Sequence, residues 1–161
     1  MIDSRAKGKR GELEACKALA ALTGIEWMRT SQVCGKYAAD VVPVDRDIGI
    51  HVEVKRCKRG MSHLEKRLKR SPLWMCGDLF VSRLATLPRL LDCTMLGEKG
   101  KRTRKVEGWM RQAQRDCKTC SVPIVLFRQD DLDWCIAWMQ VQDDHVMEGF
   151  KKCAAFATAA D

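Results

Sequence analysis

Apolar and polar residues alternate along "IGIHVEVKR" (48–56), where Ile50, Val52 and Val54 interleave with His51, Glu53 and Lys55. Side chains two apart share one face of a strand, so the pattern predicts a half-buried strand whose polar face carries His51, Glu53 and Lys55 together. Upstream, Leu13, Cys16, Leu19 or Ala20 and Leu22 recur near helical spacing and predict a first helix over about 7–22, ended by Gly24. "IEWMRT" (25–30) and "YAADVVPV" (37–44) predict short strands around a polar loop, and "DRDIG" is a hairpin turn signal leading back into 48–56.

The C-terminal third is patterned as clearly. Val106, Trp109, Met110, Ala113 and Cys117 fall on one helical stripe, with Arg111, Gln112, Arg115 and Lys118 away from it. "VPIVLF" predicts a buried strand, and "WCIAWMQV", after the acidic turn "RQDDLD", its antiparallel partner. Trp27, Trp109, Trp134 and Trp138 each sit among apolar neighbours and are expected in the core. Residues 57–105 fit no simple period; Pro72, Gly77 and Pro88 predict helical pieces broken at those points. The Ala-rich tail from about 150 is expected as a frayed helix or a disordered end. The order α-β-β-β-insert-α-β-β predicts one mixed α+β (α/β) domain over 1–161. Its central mixed sheet has about five strands flanked by helices and carries a basic, partly helical insertion at about 57–105.

Composition narrows the function. A chain of 161 residues with 46% hydrophobic and 31% charged residues is large enough for a real core. Its apolar stretches are interrupted by Asp78, Arg83 and Arg89, short of the roughly 20 residues of a membrane span, and "MIDSRAKGKR" is followed by no signal-peptide core. A cytoplasmic protein, in a bacterial or host cytosol and without membrane contact, is expected. Nine scattered cysteines without a secretion signal point to free thiols; Cys117 and Cys120 form a single C-x-x-C pair where a structural zinc needs four ligands.

Net charge is +8 with a pI near 9.1, favouring a polyanionic partner. Between Lys55 and Arg70 stand eight Lys or Arg against Glu65 alone, and "EKGKRTRK" (98–105) adds five against Glu98. These runs flank one segment and suggest a phosphate-binding surface.

Asp40 stands out in "AADVV", an aspartate among β-formers. Pairing across the "DRDIG" turn can bring it beside Glu53, although the sequence does not fix the register. Two neighbouring carboxylates repel unless a divalent cation sits between them, and oxygen-only ligands suit Mg²⁺ or Mn²⁺. Such an ion polarises a phosphate and activates water, and Lys55 beside it can orient the water or stabilise charge on phosphoryl oxygens. The bland alternative is a turn aspartate and a solvated Glu–Lys pair. His51 shares the face, but a β-face histidine is more often polar packing than a general base.

"AAD" then "VEVKR", preceded by the basic helix "KGKRGELEA" and the "RTS" loop, resembles the PD-(D/E)xK nuclease superfamily, and within it the archaeal and phage Holliday junction resolvases. Ala39 replaces the proline of the superfamily's name. The likeness covers 7–56 and 106 to about 140, and implies a restriction-endonuclease-like core. It further implies Asp40 and Glu53 as metal carboxylates, Lys55 as the catalytic lysine and Glu12 as an additional acidic residue that is a possible third ligand. More weakly, it implies roles for Ser31 and Gln112.

The expected cofactor is Mg²⁺ or Mn²⁺, two ions per site. The expected partner is branched four-way DNA, cut by a homodimer that nicks opposed strands. The long 57–105 segment departs from related phage proteins. Lys7, Lys9, Arg10, Arg56, Lys58, Arg59, Lys66, Arg67, Lys69, Arg70, Lys101, Arg102 and Arg104 are the expected phosphate contacts. The rivals are a nuclease of the same superfamily acting on flaps, single strands or duplex, and a non-catalytic nucleic-acid-binding protein.

Overall fold

The computed structural model describes residues 4–30, 38–91, 97–117 and 121–159. Helix α1 (Ser4–Thr23) leads into β1 (Trp27–Arg29), β2 (Val41–Pro43) and the long β3 (Ile50–Cys57). The segment expected as helical pieces holds α2 (Ser62–Arg70), β4 (Trp74–Cys76), β5 (Leu79–Arg83), α3 (Leu87–Leu91) and β6 (Glu98–Gly100). Then follow α4 (Arg104–Asp116), β7 (Val122–Gln129), β8 (Cys135–Met139) and α5 (Asp143–Ala159).

All eight strands join one mixed sheet in the order β1-β2-β3-β7-β8-β5-β4-β6. The mixed α+β class with flanking helices is as expected and consistent with a restriction-endonuclease-like fold. The strand number is not. The insertion lengthens the sheet: Gly77, at φ +60, turns a two-residue β4–β5 hairpin, and β5 adds antiparallel to β8. A glycine that reads as a helix breaker is here the turn residue. At the C-terminal end the tail is helical, one of the two expected alternatives, but the helix starts earlier: α5 has 17 residues and begins at Asp143. Among the described residues no helix is long and apolar enough to cross a membrane.

The central pair explains how the site is built. β3 and β7 run parallel over eight paired positions, from Ile50↔Val122 to Cys57↔Gln129, so both faces of β3 are covered by helices. On one face Ile50, Val52, Ile124, Leu126, Ile136 and Trp138 pack with Ala15 and Leu19 of α1 and Val146 and Phe150 of α5. On the other, Cys57, Val125, Phe127 and Ala137 pack with Leu64 and Leu68 of α2 and Val106, Met110 and Ala113 of α4. The polar face of β3 is therefore interior, and His51 and Glu53 are each only 5% exposed. The expectation of a wet polar face gives way to a polar site under α4.

Candidate active site

Asp40 is held by the sheet before its side chain does anything. Its N–H donates to Val52 O (2.9 Å), and its carbonyl accepts from Thr30 N–H (3.0 Å), so its backbone is tied toward β3 and β1 at once. Val41 pairs with Val52, which turns Asp40 to the face of Glu53. Its Oδ2 then accepts the Val54 N–H at 2.7 Å.

Glu53 is fixed by partners from two elements. Lys55 Nζ donates to Oε1 at 2.7 Å from the next position on the same face, and Gln112 Nε2 of α4 donates to the same oxygen at 3.0 Å. Oε2 faces His51 Nε2 at 3.9 Å, beyond hydrogen-bond length, so the buried imidazole acts on it only electrostatically. The carboxylates are thus anchored on Asp40 Oδ2 and Glu53 Oε1.

The two acids titrate in opposite directions. Burial, then repulsion from Glu53, pushes Asp40 up to about 6, with a smaller push from Glu12 and relief from the Val54 N–H and Lys55. Burial also opposes ionisation of Glu53, but His51 and Lys55 outweigh it and hold that carboxyl below its usual range. The site therefore has one firmly anionic carboxylate and one that gives up its proton reluctantly. A divalent cation between them removes the repulsion that burial magnifies.

Among the described residues no three His, Cys, Asp or Glu side chains converge as a closed metal centre. Asp40 and Glu53 nonetheless fit a hard cation of the Mg²⁺ type, which is commonly held by one or two carboxylates and completes its shell with water and substrate phosphate. Glu12 lies close enough to act on Asp40, but its Oε2 accepts from Arg29 Nε of β1. That pairing had no sequence signal, because helix and strand residues 17 apart share no period.

The remaining residues singled out from sequence fall into distinct places. Ser31 lies outside the described residues. Arg56 points away from Lys55, toward α1, where Glu14 and Asp130 hold its guanidinium and leave its side chain 17% exposed. It is a packed ion-pair residue and not part of the open basic surface. Lys7 approaches Asp130, Arg10 pairs with Glu14, Lys69 with Glu65 and Arg102 with Glu107. Lys9, Lys58, Arg59, Lys66, Arg70, Lys101 and Arg104 are exposed, and Arg67 lies over the Trp74 ring. Asp130, which closes the Arg56 cluster, reads in the sequence only as a turn acid.

An interior Asp…Glu-x-Lys set on an antiparallel strand pair, in a mixed sheet between two helical layers, is the arrangement expected of a nuclease of the PD-(D/E)xK type. The family model described as "Phage putative PDDEXK endonuclease" matches residues 3–159, and the chain belongs to that family. No curated protein and no solved structure matches it.

Proposed function

We propose that the chain is a Mg²⁺-dependent endodeoxyribonuclease, Mn²⁺ serving equally, that resolves four-way DNA junctions as a homodimer in the cytosol. The observation that carries the chemistry is the Asp40–Glu53–Lys55 set, with Glu53 and Asp40 each locked by hydrogen bonds on one oxygen. Asp40 and Glu53, with Glu12 behind them, would hold the cation, two ions per site being the expectation from family likeness. When bound, such an ion supplies charge neutralisation for the scissile phosphate and acidity for an attacking water.

The chain's own groups do the rest. Lys55 Nζ, positioned by Glu53, carries a compact positive charge to the reacting phosphate, where it orients water or meets the charge on the phosphoryl oxygens. Gln112 keeps Glu53 in one rotamer. The exposed cations without a carboxylate partner, Lys9 on α1 with Lys58, Arg59, Lys66, Arg70, Lys101 and Arg104, supply sequence-independent attraction for DNA. The preference for junctions rests on the order of motifs shared with resolvases, and the dimer on the near two-fold symmetry of a four-way junction.

The test is cleavage of labelled four-way junction, flap, duplex and single-stranded DNA in Mg²⁺ or EDTA, beside Glu53→Ala and Lys55→Ala. Metal-dependent, symmetric nicking of the junction alone is expected, lost in both variants. Equal cleavage of all four substrates overturns the junction assignment, and no metal-dependent cleavage of any overturns the enzyme.

A further inference from the structure

Besides its core stripe, α4 has two polar sides. On the flank facing β3, Gln112 reaches Glu53. On the outward side Arg104, Gly108, Arg111 and Arg115 succeed one another at intervals of four, three and four residues. That spacing keeps them within about 60° of one another around the helix axis, on the side opposite Val106, Met110 and Ala113. The three arginines are exposed, and none has a hydrogen bond or ion pair with another described residue. Elsewhere Arg10, Arg29, Arg56 and Arg102 each hold a carboxylate. Arg59, Arg70 and Arg89 are also exposed without a carboxylate, but on α4 three such guanidiniums line one face of one helix.

Gly108 is the second observation. A glycine inside a helix is less stable than alanine, so the position asks for a reason. The fold gives none: an added Cβ would meet only Arg111 Nη2, at 3.9 Å. The bare position leaves a floor between Arg104 on one side and Arg111 and Arg115 on the other.

Arg104 to Arg115 spans roughly 16 Å of helix axis, about the axial length of five phosphates of one DNA strand. Guanidinium forks match phosphate oxygens bidentately, and a side chain at the floor would lift the backbone away. We propose that this crest of α4 is the track for the sugar–phosphate backbone of one DNA strand beside the scissile phosphate, with Gly108 as its point of closest approach. The proposal rests on the nuclease reading for its place next to Glu53, while its binding test does not need catalysis.

The experiment is anisotropy titration of fluorescein-labelled duplex and four-way junction in EDTA across a salt series, with thermal melts to confirm folding. The Arg104→Gln/Arg111→Gln/Arg115→Gln chain is compared with Lys17→Gln/Arg89→Gln/Lys152→Gln, which removes equal charge from exposed sites on α1, α3 and α5. The α4 triple should lower the log–log salt slope by about two to three units, and the control by less than about half a unit. Gly108→Glu, which has room to fold, should weaken binding at least about tenfold, because it puts a like charge against phosphate. Equal losses in the two triples, or an unchanged slope in the α4 triple, overturn the track. If the unsubstituted chain cleaves in Mg²⁺ while the α4 triple binds normally, the track fails and the nuclease reading stands. If the unsubstituted chain cleaves nothing while the α4 triple loses slope, the nuclease reading fails and the track stands.

Discussion

Two charged regions flank β3, and they differ in what their arginines touch. Toward α1, Arg56 lies between Glu14 and Asp130, with Arg128 at 3.6 Å and Arg10 at 3.1 Å from the Glu14 carboxylate. Toward α4, Arg104, Arg111 and Arg115 stand exposed without an ion pair to any described residue. Both regions are basic in the sequence, so charge count alone treats them alike. Their partners separate them: the first fastens α1 to the ends of β3 and β7, and the second is free to meet phosphate. The proposed catalytic set, Asp40, Glu53 and Lys55, lies between them, buried but not closed.

The largest expected effects belong to the proposed catalytic set. Glu53→Gln should cut metal-dependent cleavage by at least about 10²-fold, and Lys55→Ala by about 10²- to 10³-fold, while DNA affinity in EDTA stays within about twofold. Single-turnover rates beside anisotropy check this, and a parallel loss of affinity would move these residues into the binding surface.

Asp40→Asn tests the same set through pH. Asp40 has a folded pKa of about 6 against an ordinary 3.8, so the folded state binds the proton more tightly and the ionised form costs stability. The cost grows as pH rises from about 4 to 6 and then levels. Asn keeps an oxygen for the Val54 N–H without the charge, so Asp40→Asn should be more stable at pH 8, by at most about 3 kcal/mol, and equal at pH 4. Melting in metal-free buffer at both values measures it. Cleavage by the unsubstituted chain should need more Mg²⁺ as pH drops below about 6, because protons then compete with the cation for Asp40.

Arg56→Ala tests the closed region. It should lower the denaturation midpoint modestly, since Glu14 keeps Arg10 and Arg128 and Asp130 keeps Lys7, and leave the DNA salt slope unchanged. Denaturant melts and salt titrations together check it; a slope lowered by about one unit would return Arg56 to the open surface. The smallest effect belongs to Gln112→Ala. With Lys55 still on Oε1, cleavage should fall by about tenfold or less, without loss of DNA binding.

Strand β3 was legible because its signals are local. The "DRDIG" turn and two short β-runs predict the pairing but leave its register open, and the Val41↔Val52 register is what opposes Asp40 to Glu53. Helix α4 was legible for the same reason, with Val106, Met110 and Ala113 in the core as their spacing predicts. What escaped depends on distant partners. β4 has three residues and β5 five, too few for a period to show, and β5 has its place only because β8, more than fifty residues on, offers an edge. The alternation of β3 fits a half-wet strand equally well. It becomes interior because β7 and α4 cover it, and Gln112, 59 residues away, helps satisfy the buried Glu53. Arg56 and Arg111 look equivalent in sequence, and only the position of Glu14 and Asp130 divides them.

The central claim is that the buried Asp40–Glu53–Lys55 face hydrolyses phosphodiesters with a divalent cation. The most direct measurement is single-turnover cleavage of an end-labelled four-way junction by the unsubstituted chain and Glu53→Gln, each in Mg²⁺ and in EDTA. Cleavage confined to the unsubstituted chain with Mg²⁺ is the predicted result, and cleavage by Glu53→Gln at the same rate would contradict it.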